Sequence, residues 1–580
     1  MQRTLTHSPG HSPTAARRGS VFATALWIII ALTAVVLVTG REMTVEAMAA
    51  KQHLSQAQVD AAEQGAEQFA LSVVAQELQT PGYMSQLNFE ARPLGNCYIW
   101  FIRQNMDDET QLDYGMQDEA AKIDINTATE TMLEYLPNMD VNVAASIVDW
   151  RDADDNVTQA ASGAIGAESS DYSTMTTPYS AKNAPFETVE ELMLVEGMTS
   201  DLAWGADRNH NNAVEANESA NINAGANFDS NTMLGIFSYV TVYGVRATNA
   251  SQSATTNTAS SGTVITGLGN DDTTDQSTLA DVNNTQQMQT MLQNYLPAKA
   301  SQLSAATGGG GGGGGGGRGG AGGGAGGGTT TQTYTSVWDW VMQKYNAGQL
   351  TSEDLQQIYP YLTYNPPANQ TTTTQDAQGD AISVPILPYA KLNINTASEA
   401  ALMCLPGWTQ ADADAVIQYR ENNANTDPTQ INNISWLLDV LSSDASDVVQ
   451  YVKTGPNTSG TTTTGTTGGT TGGTGTGGTT TNNNPNDPNA NPGWGVMITG
   501  SSTVYSADIV TVSQDGRAFK RVKVVVDASS GTPQIVYRRD LSDAGWPLDP
   551  SVLESLRSGQ GPVNALERQK SSSPLSIGVR

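Results

Sequence analysis

The sequence predicts an α+β protein. One long N-terminal transmembrane helix packs on an antiparallel sheet, and a large α-helical domain is inserted between two parts of that sheet. Three observations predict this. An uncharged apolar run, Val21 to Val38, follows Arg17-Arg18-Gly19-Ser20. Strand-like stretches lie near both ends of the chain, at 97–102 and beyond residue 503. Between them, Lys122-Ile123-Asp124-Ile125-Asn126-Thr127 recurs as Lys391-Leu392-Asn393-Ile394-Asn395-Thr396.

As a helix the apolar run measures about 27 Å, close to the thickness of a bilayer core. The two arginines before it keep the leader, residues 1–19, on the cytoplasmic side and send the rest across. A secretory signal would end in a small-x-small cleavage site directly after its apolar core. Ala47-Met48-Ala49 has that pattern but lies beyond Arg41, Glu42 and Glu46. A plain anchor is the second reading. The third takes Gly19 as the residue before a cut, since a peptidase at the membrane face needs a position without a side chain there. That arrangement resembles the type IV pilin-like leader, cleaved between Gly19 and Ser20.

The helix continues past the membrane. Arg41 to Gln79 is rich in Ala, Gln and Glu and has no proline, which favours a helix. Val59, Ala62, Ala66, Phe69 and Val73 recur on one face, and Pro81-Gly82 ends the segment. The expected element spans 20–82 and reaches roughly 90 Å, half in lipid and half against a globular head. Residues 83–121 then supply the first part of a sheet, with Cys97-Tyr98-Ile99-Trp100-Phe101-Ile102 as its clearest strand.

Composition narrows the functions. At 580 residues the chain is too long for one core. Its 28 Lys+Arg against 58 Asp+Glu give a net charge of -30, which opposes nucleic acid as a partner and favours cations. The two cysteines, Cys97 and Cys404, allow at most one bridge. Four histidines leave little for a histidine-based active site.

The repeat is helical. Its register holds through Leu136-Pro137 and Leu405-Pro406 and on to Trp150-Arg151 and Tyr419-Arg420. Thr127 with Glu130, and Thr396 with Glu399, read as capping boxes. Each copy is therefore a helix-hairpin-helix (SAM-like) unit, one in 122–246 and one in 334–455, with Thr188 and Glu191 opening further helices in the first. Such units bind DNA when glycine-rich hairpin amides reach a phosphate among basic residues. Here Asp140 sits beside the first hairpin, and Asp412 and Asp414 follow Gly407 in the second. Scaffolding is the expected role.

The best ligand signal is Asp207 to Glu218. Asp207, Asn209, Asn211, the Ala213 carbonyl, Glu215 and bidentate Glu218 follow the spacing of a twelve-residue calcium loop. Asn212 stands where glycine is usual and tolerates left-handed geometry. A structural Ca²⁺ is therefore expected. Asp149, Asp152, Asp154 and Asp155 lack comparable spacing and read as a solvated helix end.

The glycine run within 247–333 and the Thr/Gly/Asn-rich 456–494 read as linkers, the first disordered except for one helix near 287–295. Trp338 to Tyr361 reads as a short helical pair. Residues 495–541 return to strands around the Asp515-Gly516 turn and complete the sheet, and 542–580 form a tail.

The leader, Asp118-Glu119-Ala120-Ala121-Lys122, Glu190-Glu191-Leu192, Asp207–Glu218 and the second Asn-Thr-Ala copy occur in this order. Together they resemble the general secretion pathway protein K family, the large minor pseudopilins of type II secretion. The resemblance implies a pilin-like sheet and cleavage by prepilin peptidase with methylation of Ser20. It implies a bacterial inner-membrane anchor with the large C-terminal part in the periplasm. The partners it implies are other minor pseudopilins and the major pseudopilin in a tip complex, without enzymatic activity. A membrane-anchored DNA receptor of the competence type is the alternative, and a carboxylate hydrolase a remoter one.

Overall fold

The computed structural model describes residues 18–105, 108–159, 162–214, 218, 233–246, 279–300, 303, 334–364, 371–375, 381–385, 389–423, 433–443, 447–455 and 492–562. Helix α1 runs from Arg18 to Gln79, 62 residues. Every side chain from Val21 to Leu54 is exposed, and burial begins at Ser55. The helix is long and apolar enough near its start to cross a membrane. From Val59 onward Ala62, Ala66, Ala70, Val73 and Val74 turn inward, the stripe that a 3.6-residue period places on one face.

That stripe lies on an antiparallel sheet. Strands β1 (Arg92–Leu94), β2 (Cys97–Gln104), β3 (Leu112–Tyr114) and β4 (Gln117–Asp118) come from the early chain. The remaining strands are numbered in chain order, and those of this sheet are β14 (Val504–Ser513), β15 (Phe519–Asp527) and β16 (Gln534–Asp540). Their order is β1-β2-β14-β15-β16, with β3 beside β2 and β4 beside β14. Thus β2 and β14 are neighbours, Phe101 facing Ile509, although some four hundred residues separate them. Alternation decides the two faces. Ala507 and Ile509 pack with Phe89, Phe101 and α1. Val510 and Val512 join Trp100 and Ile102 on the other side.

That second face is covered by a helix from the segment read as a tail. The terminal helix (Pro550–Arg557) inserts Val552 and Leu556 beside Trp100. Its apolar residues are few and spaced as a helix, so they carried little weight among polar neighbours. Charges fix α1 from the side: buried Glu63 meets Arg538 at 2.7 Å and Lys520 at 3.3 Å, and Glu67 meets Arg538 at 2.6 Å.

The repeated motif builds two matching units. In the first, β5 (Ile123–Asp124) precedes α2 (Glu130–Glu134), α3 (Val141–Arg151), α4 (Ser169–Tyr172) and α5 (Ser200–Trp204). Strand β6 (Val240–Thr241) returns to pair parallel with β5. Next come β7 (Val245–Arg246), β8 (Ala280–Asp281), α6 (Thr285–Tyr295), α7 (Val337–Asn346), α8 (Ser352–Ile358) and β9 (Leu362–Thr363). A hairpin of β10 (Thr371–Gln375) and β11 (Ala381–Pro385) follows. In the second unit β12 (Ala390–Asn393) leads into α9 (Glu399–Met403), α10 (Gln410–Asn422) and α11 (Leu437–Ser443). Strand β13 (Ile498–Thr499) closes it, parallel to β12. The terminal helix is α12.

The same arginine braces each unit. Arg151 donates to the carbonyls of Ile125 and Ala128, and Arg420 to those of Ile394 and Ala397. The helix caps lie two residues later than the sequence suggested. Thr129 and Ser398, not Thr127 and Thr396, accept from the third helical N–H. Thr127 and Thr396 are engaged elsewhere: Thr127 Oγ1 accepts from the Ala390 N–H at 3.0 Å, and Thr396 donates to Asp118. Tertiary partners outbid the local cap.

Two further differences concern the linkers. Residues 279–300 are folded: β8 pairs parallel with β9, and Met288, Met291 and Leu292 of α6 are buried. Residues 498–499 belong to the second unit rather than to the seven-stranded sheet. Apart from Leu303 and residues 492–494, the rest of 247–333 and 456–494, including both glycine-rich tracts, lies outside the described residues.

Candidate cation sites and the domain junction

The loop that follows α5 turns through two left-handed residues, His210 at φ 55° and Asn212 at φ 63°. Asparagine meets that demand without glycine at position six of the loop. The turn points oxygen donors inward. Asp207 Oδ1 accepts from the Asn211 N–H at 3.1 Å, and its Oδ2 from the Asn212 N–H at 2.8 Å. Asn209 Oδ1 accepts from the Asn211 N–H at 3.0 Å, and Asn211 Oδ1 from the Ala213 N–H at 2.9 Å. Glu218 Oε1 accepts from the N–H groups of Arg208 and Asn209 at 3.0 and 3.2 Å. Asp207, Asn211, Ala213 and Glu218 are buried. The structure thus gathers Asp207, Asn209, Asn211 and Glu218 on the backbone amides of one turn, Asp207 and Asn209 sharing the Asn211 N–H. Glu215 lies outside the described residues. An all-oxygen donor set with two buried carboxylates fits a hard divalent cation.

The loop is held from outside. His210 stacks on Trp204 at 3.7 Å between ring centroids, and Trp204 meets Phe237 edge-on at 4.6 Å. The Asn211 amide donates to the Pro547 carbonyl at 2.8 Å, beyond the last sheet strand. A cavity of about 80 Å³ opens beside it between sheet and first unit, lined among others by Lys122, Trp204, His210, Lys523 and Arg539.

A second acidic group overturns the reading of Asp149 and Asp152 as a solvated helix end. Both are buried, and with Glu168 they form a cluster whose carboxylate oxygens lie within 4.8 Å of one another. The chain after α3 folds back over them. Thr158 N–H donates to Asp149 at 3.0 Å, and a Cβ on Gly166 would stand 2.0 Å from Asp149 Oδ2. Glu168 is 1% exposed, and among the described residues neither of its buried oxygens has a hydrogen-bond partner. Burial, reinforced by the neighbouring charges, pushes Asp149 up to about 7, Asp152 to about 9 and Glu168 to about 8. Crowded, dehydrated carboxylates of this kind can take up a cation as readily as protons. Glu168 lies too far along the chain from Asp152 for spacing to reveal it.

Asp118 and Glu119 form the junction. Asp118 Oδ2 accepts from the Asn393 amide at 2.8 Å, while Glu119 accepts from Ser506 Oγ of β14 at 2.6 Å and from Thr241 of the first unit. Lys122 pairs with Glu119 at 3.3 Å. Cys97 and Cys404 are both buried and free, in separate clusters. Gly19 and Ser20 fall in the first turn of α1.

The hairpins present no open phosphate cradle. In the second unit a Cβ on Gly407 would strike the Tyr451 ring at 2.3 Å. The Asp412 carboxylate accepts from the Thr409 N–H at 2.9 Å, closing the start of α10. In the first unit Asp140 caps α3 through the Asn142 N–H at 2.8 Å.

The fold is a membrane-capable helix on an antiparallel sheet, joined to helix-hairpin-helix units. Against known families, a model described as Type II secretion system (T2SS), protein K matches residues 123–204. Over that stretch, part of the chain only, the protein is similar to protein K of type II secretion. A helix-hairpin-helix motif model matches residues 388–437, the second unit. A model of the A-macroglobulin TED domain matches residues 10–162, a span that runs from before α1 to beyond α3 and follows no single unit. No curated protein matches the chain. The protein K match includes Asp149, Asp152 and Glu168 and ends before Asp207.

Proposed function

We propose that this protein is a minor pseudopilin of a type II secretion system, anchored once in the inner membrane with its head in the periplasm. In this reading it caps the tip of the pseudopilus and carries no catalytic activity. One observation carries it: a single helix is apolar and exposed from Val21 to Val38, then buries Val59 to Val74 against an antiparallel sheet. Such a helix can be drawn from the bilayer into a bundle of like helices while its head stays folded. The protein K match on the adjoining unit supports the same reading.

The tip position follows from charge. Cleavage after Gly19 leaves an ammonium at Ser20, and a bundle of apolar helices would bury it at high cost unless a carboxylate pairs with it. Position five of the mature chain is Thr24, whose hydroxyl donates to its own helix at Val21 O, 2.9 Å. The first acidic residue after Ser20 is Glu42. This subunit therefore offers nothing to a neighbour above it, which a terminal subunit does not need. The partners are the other minor pseudopilins and the major pseudopilin below, after prepilin peptidase has cut and methylated Ser20.

The reading includes a structural Ca²⁺ at Asp207, Asn209, Asn211, Ala213, Glu215 and Glu218, and a cation at Asp149, Asp152 and Glu168. Gold-labelled antibody to the head should mark one end of each filament. Regular labelling along the shaft would refute tip placement, and a native chain starting anywhere but Ser20 would refute pseudopilin processing.

A further inference from the structure

Arg521 is the residue of the sheet that the loop cannot ignore. It stands in β15 with no exposed surface. Its guanidinium pairs with Asp508 of β14, Nε lying 3.0 Å from Oδ1. Nη2 completes that pair with Asp508 Oδ2 at 2.5 Å, and the same nitrogens reach beyond the sheet: Nη1 donates to the Asn209 carbonyl at 2.7 Å, and Nη2 to the carbonyl of His210 at 2.5 Å. Only a planar fork with several fixed donors can hold a carboxylate and two successive carbonyls together.

We infer that Arg521 is the positioning residue of the Asp207–Val214 part of the cation loop and couples its occupancy to the pilin-like sheet. The inference rests on the calcium reading of that loop. The argument begins with the peptide plane. In a trans peptide the C=O and the following N–H point in opposite directions. Drawing the His210 carbonyl outward to Arg521 therefore aims the Asn211 N–H inward, where it meets Asp207 and Asn209. The same pull holds His210 at φ 55°, a conformation a residue with a Cβ avoids unless its surroundings impose it. Trp204 imposes it from the ring side and Arg521 from the backbone side.

The positive charge does not repel the cation outright, because Asp508 neutralises it. Coupling runs both ways. The Arg521 carbonyl accepts from the Leu541 N–H at 2.8 Å, and its own N–H reaches Ser542 Oγ at 3.2 Å. Those bonds start the segment whose Pro547 carbonyl takes the Asn211 amide. A cation that orders the loop thus tightens a closed ring of contacts through β15 and 541–547.

The test is hydrogen–deuterium exchange on the full-length protein in detergent, titrated with calcium chloride. Protection should rise together in peptides covering 208–214 and 539–549. Protection confined to 208–214 would overturn the coupling and leave the calcium loop standing. No protection in either, with no heat of binding, would remove the loop reading and this inference with it. Arg521→Met should raise the calcium concentration for half-protection of 208–214 at least tenfold, and Arg521→Lys, which keeps the charge beside Asp508, should fall between. An unchanged midpoint in folded Arg521→Met would overturn the positioning role. If that variant does not fold, the wild-type exchange pattern decides.

Discussion

The carboxylate of Asp118 accepts a hydrogen bond of 2.5 Å from the hydroxyl of Thr396, across 278 residues of chain. Asp118 belongs to β4, which pairs with β14 of the sheet. Thr396 belongs to the second helical unit. Next to it, Glu119 reaches Thr241 of the first unit. Two consecutive carboxylates therefore hold two homologous units to one sheet, each through a threonine hydroxyl.

Replacing that carboxylate should loosen one unit and spare the other. Asp118→Ala orphans the Asn393 amide and the Thr396 hydroxyl, a loss of about 2–4 kcal/mol for two buried groups left without a partner. Limited proteolysis should cut the second unit, 389–443, sooner than the first. Equal protection of the two in wild type and variant would show that the hydrophobic contacts suffice.

The cation loop gives a stability prediction. Calcium at a hundredfold excess over its dissociation constant should stabilise the head by about 2.7 kcal/mol, seen as a raised melting temperature. Glu218→Ala should remove most of that gain, because the ligand expected to bind bidentately is gone. A wild-type melting curve indifferent to EDTA would refute the site.

The buried trio sets a pH dependence of defined sign. Unfolded Asp and Glu ionise near pH 4, whereas burial pushes Asp149, Asp152 and Glu168 to about 7, 9 and 8. Between those values the folded chain holds the extra protons. Without metal, this contribution is complete below about pH 4 and is lost as pH rises toward 9. In EDTA the melting temperature of wild type should therefore fall more between pH 5 and 8.5 than that of Glu168→Gln, and calcium should erase the difference. Parallel pH profiles in EDTA would mean that these groups are ionised in the folded state.

Duplex DNA should not bind at physiological salt. The net charge of -30 repels it, Tyr451 covers Gly407, and Asp140 and Asp412 occupy the helix starts that would face a phosphate. A salt-sensitive gel shift at micromolar protein would revive the DNA-receptor reading.

The sequence by itself determined whatever is written in local order. The apolar run and the alanine-rich stripe specify α1, because a 3.6-residue period needs no partner to be read. Alternation around Asp515-Gly516 specifies the β14–β15 hairpin for the same reason, with period two. The internal repeat specifies two like units, and the oxygen spacing from Asp207 to Glu218 specifies a candidate loop. Tertiary structure alone decided which residues meet. Thr127 and Thr396 look like caps because a threonine three residues before a glutamate is a local pattern, but Ala390 and Asp118 offer them better bonds from far along the chain. Glu168 joins Asp149 and Asp152, and Arg521 reaches the Asn209 and His210 carbonyls, across separations that carry no periodicity. Burial likewise turned Asp149 and Asp152 from expected surface charges into buried groups whose ionisation is disfavoured, since desolvation depends on what folds over a carboxylate and not on its neighbours in sequence.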